Sequence, residues 1–363
     1  MIDTLKNSFT RLRRSSFFAG FVLFIIALVL NAALQGPASF FSVKSINTLF
    51  AKNAAFILVA IGQSLLLIAG TMDVSCGIQL ALVNVVTIMT HQVWGIPFAL
   101  SCLLGIGAAV LASIAVWVCC SVFRLPALLA SYAMTYVIRG VNVMIMSVPQ
   151  GKVPKEWYMA YDSQLFGLIP VSFFAVLGVL LICRFARKTP FGSHIYAVGG
   201  NPRNAFAAGI SPVKVQLKAF LLKGVIVGIA GLCLTLMIAA GNPLQAEDYG
   251  IRSLSACILG GLGFGGWGSV ASAVFGSGFF VLIQNSVYYF FSLLVRLIPG
   301  FSVSSYWQNF VSDVIIFLGL LMTIVTAKGR QEVLREGIVR QFKRIDYRKS
   351  PKESEGKEVT THE

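Results

Sequence analysis

The sequence predicts an all-α polytopic membrane protein of about ten transmembrane helices with both termini in the cytoplasm. Three observations carry that expectation. Hydrophobic residues make up 56% of the 363 positions and charged residues only 12%, against about 25% charged in an average soluble domain. Apolar runs of spanning length recur along the chain, so the bilayer must receive a surface that no single soluble core could hide. The basic residues gather in three places, each flanking apolar runs, as the positive-inside rule expects of cytoplasmic segments.

The first run, residues 17–34, follows Lys6, Arg11, Arg13 and Arg14. It exceeds the roughly 7–15 apolar residues of a secretory leader, and reads as an uncleaved span entering from the inside. Further spans are expected at residues 54–69, 77–93, 97–122, 126–146 and 169–183, then at 219–240, at a shorter segment 251–262, and at 270–294 and 310–327. Residues 1–16 form an N-terminal cytoplasmic tail, 17–327 the membrane domain and 328–363 a C-terminal cytoplasmic tail. In that last tail Leu334, Ile338, Phe342 and Ile345 share a helical face among Arg335, Arg340, Lys343 and Arg344, the pattern of a basic helix lying on an anionic leaflet. From Ser350 onward the polar composition predicts disorder.

The most informative stretch joins the sixth and seventh spans. From Arg184 to Lys223 the chain carries Arg184, Arg187, Lys188, Arg203, Lys214, Lys218 and Lys223 and no acidic residue, which places the loop 184–218 in the cytoplasm. Within it Asn201 suits an N-cap, Pro202 the first helical turn and Gly209 a left-handed stop. Ser211-Pro212 repeats the cap-plus-proline start for the helix that follows. A short helix capped at both ends, outside the membrane, is shaped for docking to a soluble partner or for lying on the membrane as a connector. Outside the two tails, the stretch from Arg184 to Lys223 and Arg124, the Lys and Arg residues are Lys44, Lys52, Arg139, Lys152, Lys155, Arg252 and Arg296. A net charge of +15 distributed in this way sets membrane topology and excludes a nucleic-acid surface.

Several functional classes lose support on residue chemistry alone. The seven cysteines lie in or beside apolar runs with no Cys-x-x-Cys and no Cys/His cluster, so neither a disulfide framework nor a metal site is expected, and no cofactor is implied. No Walker-type phosphate loop occurs, and Gly261, Gly263 and Gly266 meet G-x-G-x-x-G only after an apolar segment, where close helix packing is the better reason. His91, His194 and His362 are the only histidines, and no nucleophile or acid–base constellation accompanies them, so no catalytic residue is assigned. Asp73 and Asp313 are the carboxylates expected at membrane depth, with Arg139 as a cation there. Such groups are functional candidates and keep an ion-coupled secondary transporter in view as the alternative, with a membrane enzyme behind it. Gln63, Asp73, Asn84, Tyr132, Asn142 and Asn285 are the candidate lining of a translocation path, each also able to serve as a helix–helix hydrogen bond. The glycine-rich or polar stretches 71–77 and 260–268 lie at or near membrane depth, where backbone is tolerated only if buried in protein or lining a watery cavity.

Four motifs in order carry a family resemblance. GSHIYAVGGNPRNAFAAGI resembles the cytoplasmic loop of ribose-type permease subunits of bacterial ABC importers, G-x-x-I-Y-A-I-G-G-N-x-x-A-A-x-x-x-G-I. AIGQSLLLIAGTMDVSCG is similar to that family's A-x-G-x-x-x-x-I-x-x-G-x-I-D-L-S-V-G. ILGGLGFGGWGS resembles its I-G-G-x-x-x-x-G-G-x-G, and Ser305-Tyr306-Trp307-Gln308 fits a late S-x-W-Q. The likeness runs from about residue 42 to 327. It implies a permease subunit without its own ATPase, placed in the bacterial inner (plasma) membrane. The implied partners are a cytoplasmic ABC ATPase, a second permease copy or sister subunit, and an extracytoplasmic solute-binding protein delivering a sugar or sugar-like solute. The loop helix would then be the coupling helix, made of Asn201, Pro202, Arg203, Asn204, Ala205, Phe206, Ala207, Ala208 and Gly209. Phe206 would be its apolar anchor, Arg203 and Asn204 its polar contacts, and Ala205, Ala207 and Ala208 would allow close approach. Two departures concern the cognate ATPase and the solute. Arg203-Asn204 stands where many relatives carry an acidic residue, and Asp73-Val74-Ser75-Cys76-Gly77 follows Thr71-Met72 where they read Ile-Asp-Leu-Ser-Val-Gly.

Overall fold

A computed structural model describes residues 17–165, 167, 169–298 and 304–326. Both tails, with the expected amphipathic helix at 334–345 and the disorder from Ser350, lie outside the described residues. The chain divides into two compact units, Met1–Ile316 and Phe317–Glu363. Of the second, the described part is the helical stretch 317–326.

The chain is mostly helical. In order come α1 (Phe18–Gln35), α2 (Pro37–Phe40), α3 (Val43–Ile68), α4 (Cys76–Gln92), α5 (Phe98–Trp117, closing in a π turn at Val118–Val122) and α6 (Ala127–Ile145). After a strand β1 (Gln150–Lys152) follow α7 (Lys155–Asp162), β2 (Gln164–Leu165), β3 (Ile169–Pro170) and α8 (Val171–Lys188). Then come α9 (Pro190–Gly200), α10 (Pro202–Ala207), α11 (Pro212–Ile238), β4 (Ala240–Gly241), α12 (Tyr249–Leu259), α13 (Val270–Leu297) and α14 (Ser305–Thr326). β1 pairs antiparallel with β4, and β2 with β3. The β1–β4 ribbon follows the C-terminal end of α11, whereas α10 precedes its N-terminal end.

Among the described residues six helices are long and apolar enough to cross a membrane: α1, α3, α5 with its π turn, α6, α11 and α13. Ten were expected. α4, with 17 residues, and α12, with 11, reach only about 25 and 16 Å at 1.5 Å per residue, short of a core of about 30 Å. Each is preceded by non-helical chain, 70–75 before α4 and 242–248 before α12.

α3 and α11 form the interior. The most apolar window of α3 is 78% buried, that of α11 56%, and that of α1 only 17%. α11 packs on α5, α3 and α4, around Leu58, Ile61, Leu80, Val83, Ile226, Val227 and Leu234. It approaches closely because Gly224 and Gly228 form a G-x-x-x-G face. A Cβ at Gly224 would stand 3.0 Å from Val110 Cα, and one at Gly228 2.9 Å from Ile106 Cα. Small residues are the usual means of such approach where lipid supplies no hydrophobic drive between helices. α1 lies against α13, with Phe17, Phe21 and Phe24 around Phe275 at centroid distances of 5.2–5.9 Å.

Three boundaries correct the sequence reading. α3 starts at Val43, not residue 54, because Ser42 Oγ accepts from Ser45 N at 3.3 Å and no Gly or Pro interrupts residues 43–53. α8 runs on to Lys188, so Arg184, Arg187 and Lys188 belong to a helix. α11 starts at Pro212 as the Ser-Pro pair predicts, although the Ser211 hydroxyl caps nothing. Lys223 therefore lies well inside a long helix and not at a loop edge.

Candidate coupling helix and membrane path

α10 is built as its sequence predicts. Asn201 takes extended backbone, and its Oδ1 accepts from the amides of Arg203 (3.0 Å) and Asn204 (3.1 Å), satisfying two of the free N–H groups at the helix start. At the other end Gly209 adopts φ +82°, donating its amide to Phe206 O (2.9 Å), while Ile210 N reaches Ala205 O (2.9 Å). A side chain at Gly209 would be strained by that φ. Ala205 alone of the nine residues 201–209 is buried, packed in a cluster with Val215, Ala219 and Phe220. Phe206 is 70% exposed, and Arg203, Asn204, Ala207 and Ala208 are exposed beside it. Ala205 is thus the foot of the helix and not part of its outward face. A cleft of about 490 Å³ beside it is lined by His194, Ser211, Lys214 and Lys218 among apolar residues, with no acidic residue.

α9 was not anticipated as a helix; Thr189-Pro190 gives the same extended-residue-plus-proline start, but Gly192, Gly199 and Gly200 read as punctuation. They serve close contact instead. Gly199 lies against Ile68 O and Gly266 N, and Tyr196 donates its hydroxyl to Gly268 O at 3.0 Å. The glycine run 260–268 also donates Gly265 N to Leu67 O (3.3 Å) and Gly266 N to Ile68 O (3.0 Å). Carbonyls at a helix C-terminus otherwise lack helical partners, so this loop closes the end of α3.

The other irregular stretch, 71–77, is mostly buried and crosses the segment before α12. A Cβ on Gly77 would meet Ala246 O and Glu247 O, and one on Gly250 would meet Val74 O. Here sits the feature that sequence reading missed. Asp73 pairs with Lys223 Nζ at 2.5 Å, and both side chains have 0% exposure. Asp73 Oδ1 also accepts from Ser75 N (2.8 Å) and Ser75 Oγ (2.5 Å), and Oδ2 from Gln79 Nε2 (3.1 Å). Lys223 donates further to Gln79 Oε1 (2.7 Å) and Ser113 Oγ (3.3 Å). A carboxylate offers about four acceptor positions and an ammonium three donors, and here all are used. Burying two charges is tolerated only with such complete pairing. The network leaves no vacancy for a transported ion, which removes the main residue behind the ion-coupled alternative.

The remaining path candidates separate. Gln63 is buried against the Asp73 backbone, its amide nitrogen 3.1 Å from Asp73 O and its oxygen 3.3 Å from Asp73 N. Asn84 ties α4 to Thr235 Oγ1, Ala240 O and Asn242 N at 2.7–3.0 Å. Asn142 donates to Ile78 O and Pro243 O, each at 3.2 Å. Asn285 donates to Asn31 Oδ1 at 2.9 Å on the α1–α13 seam. These four and Asp73 are bonds within the bundle. Only Tyr132 looks outward, 48% exposed, its hydroxyl 2.8 Å from that of Tyr136. Beside it Arg139 Nη1 pairs with Glu247 Oε1 at 3.0 Å, half-exposed, and Arg252 lies 2.8 Å from Asp248 and 3.6 Å from Asp313. The seven cysteines are free thiols, buried or half-buried, and no group of three or more potential metal ligands occurs among the described residues.

A family model described as branched-chain amino acid transport system / permease component matches residues 45–324. The autoinducer 2 import system permease protein LsrC of Yersinia pseudotuberculosis is 26% identical over 326 residues, 88% of this chain and 87% of its own. YphD of Escherichia coli, named as an ABC transporter permease protein, is 27% identical over 320 residues, 87% and 92% of the two chains. LsrC of Photorhabdus laumondii is 24% identical over 341 residues, 91% and 96% of the two. No solved structure matches the chain. With the match spanning most of its length, the chain belongs to this family of permease components: it is a multi-pass inner-membrane permease subunit of an ABC importer, not itself an enzyme.

Proposed function

We propose that the chain, with a second permease copy or a sister subunit, encloses the path of a sugar-like solute handed over by an extracytoplasmic binding protein, and that a separate ATPase drives the cycle by seating on α10. The relatives named for autoinducer 2 import favour such a solute over the branched-chain amino acids in the family's description. The observation that carries the docking reading is Phe206, 70% exposed on a helix held at both ends by its own sequence. An exposed aromatic anchor beside a basic cleft is what an ATPase groove would receive.

Phe206→Ala should weaken ATPase docking by about 1–4 kcal/mol, the usual cost of truncating an interface anchor, while membrane insertion and expression stay intact. Gly209→Val should act in the same direction by straining the stop. Co-purification of the ATPase with each variant, beside an uptake assay, reads both; normal docking and uptake in the two would make α10 a connector only.

The proposed topology keeps ten crossings, both termini inside and the α9–α10 loop in the cytoplasm. Support comes from α4 and α12, each extended by the irregular chain before it, and from α8 and α14 beside the six long helices. Ser193→Cys should react with an impermeant thiol reagent only after the cells are opened. Labelling in intact cells would reverse the orientation.

A further inference from the structure

We infer that a half-exposed polar band on α6 and the segment before α12, centred on Tyr136, Arg139 and Glu247, is where the solute passes, and that it reads the hydroxyl groups of a neutral polyol. The inference rests on the permease reading and adds to it the residues and the ligand chemistry.

Depth comes first. α6 has 19 residues, about 28 Å, and Arg139 stands six residues before its C-terminal end, about 9 Å inside. Glu247 is fixed by the contact of its carbonyl with Gly77, at the start of α4. The far end of α4 meets the β1–β4 ribbon through Gln92 Nε2 and Lys152 O at 2.9 Å, about 22 Å away along the helix. Both charges thus lie at hydrocarbon depth. An arginine alone could reach toward the interface, but this one is bonded to a carboxylate that cannot.

Exposure decides what covers them. The side chains of Arg139 and Glu247 are 42% and 33% exposed. Charged groups at such depth face protein or a water-filled cavity, not acyl chains. Among the described residues nothing seals this band, so it opens onto water held between this chain and its permease partner.

The donor set then names the ligand. Arg139 and Glu247 cancel in charge, so the pair attracts neither an anion nor a cation. Among the described residues Glu247 Oε2 accepts no hydrogen bond, and Arg139 uses one N–H of its five. The free carboxylate oxygen can accept from a hydroxyl, and the free guanidinium N–H groups can donate to its neighbour. Tyr132 and Tyr136, one turn apart on the same helix, are 48% and 53% exposed, with ring centroids 5.3 Å apart and a joined pair of hydroxyls. A vicinal diol on an apolar ring face fits that surface.

The test uses the full chain in native membranes, with Gly140→Cys, one turn beyond Tyr136 at an exposed position with open space around an added Cβ, and, as a lipid-facing control, Ile26→Cys on α1. Modification by a charged, membrane-impermeant methanethiosulfonate is followed at each position by mass spectrometry, so the native cysteines stay in place. Thiolate forms only where water reaches, and Gly140→Cys should react at least about tenfold faster. D-ribose or D-mannitol at millimolar concentration should slow that reaction, sodium lactate and choline should not, and adding Glu247→Gln should abolish the slowing while labelling persists. Equal rates at the two positions would overturn the path. Fast labelling that neither polyol slows, or that lactate or choline slows equally, would overturn the hydroxyl-reading site. ATPase docking is read separately by co-purification with Phe206→Ala, so either reading can fail without the other.

Discussion

Two ion pairs flank the crossing of residues 74–77 with 246–250, and they have the same chemistry in opposite surroundings. Asp73–Lys223 has 0% side-chain exposure and every donor and acceptor filled from within the chain. Arg139–Glu247 is 42% and 33% exposed, and among the described residues a carboxylate oxygen and most guanidinium N–H groups have no partner. The first can only hold segments together, because exchanging any partner strands a charge in a medium that cannot solvate it. The second can trade partners at little cost. The sealed pair is therefore scaffold, and in the proposed path the open pair is the one that meets a passing solute.

The largest effect expected from breaking this contrast is at the sealed pair. Lys223→Met leaves Asp73 buried and unpaired and should cost about 3–5 kcal/mol, seen as a collapse of the detergent-solubilised melting temperature. Asp73→Asn combined with Lys223→Met should recover most of it, since no net charge is then stranded. A double variant as unstable as Lys223→Met alone would mean that packing, not charge, dominates the site.

Next in size is the crossing itself. Gly250→Val places atoms on Val74 O and should cost about 1–3 kcal/mol through overpacking. It should also disturb both pairs together. The same thermal assay, with cysteine labelling at Gly140→Cys added, would register both; an unchanged labelling rate would show that the two sides of the crossing are independent.

The smallest stability change is expected at the open pair. Glu247→Gln should shift stability by about 0–1 kcal/mol, the range for solvent-exposed ion pairs, while uptake falls. If it destabilises as strongly as Lys223→Met, the pair is dry and the contrast disappears.

Which of these features the sequence announces depends on how local their causes are. The ends of α10 were legible because Asn201 caps its own next residues and Gly209 solves a backbone problem at its own position. Lys223 was not. It follows a run of loop cations at Lys214 and Lys218, and charge counting assigned it to them, although its partner Asp73 is 150 residues away. The polar path candidates were chosen for being polar inside apolar runs, a criterion that helix-bonding Asn84 and Asn142 meet as well as any solute contact. Glu247 was overlooked because the segment before α12 reads as an external loop until its backbone is seen lodged against Gly77. α12 reads as a short segment in sequence, and both it and α4 are short helices preceded by irregular chain, which in the proposed topology would complete each crossing.

The junction beneath α10 has a consequence for how such a subunit can change allegiance. α9, the end of α3 and the glycine run 260–268 meet largely through main-chain atoms: Gly199 on Ile68 O, Gly265 and Gly266 on the carbonyls of Leu67 and Ile68. Main-chain geometry is the same whatever side chains flank it. Of the residues 201–209 only Ala205 is committed to the bundle. If α10 seats the ATPase as proposed, its outward letters are thus free to be rewritten to suit a different motor subunit, Arg203-Asn204 included, without refitting the platform on which the helix stands.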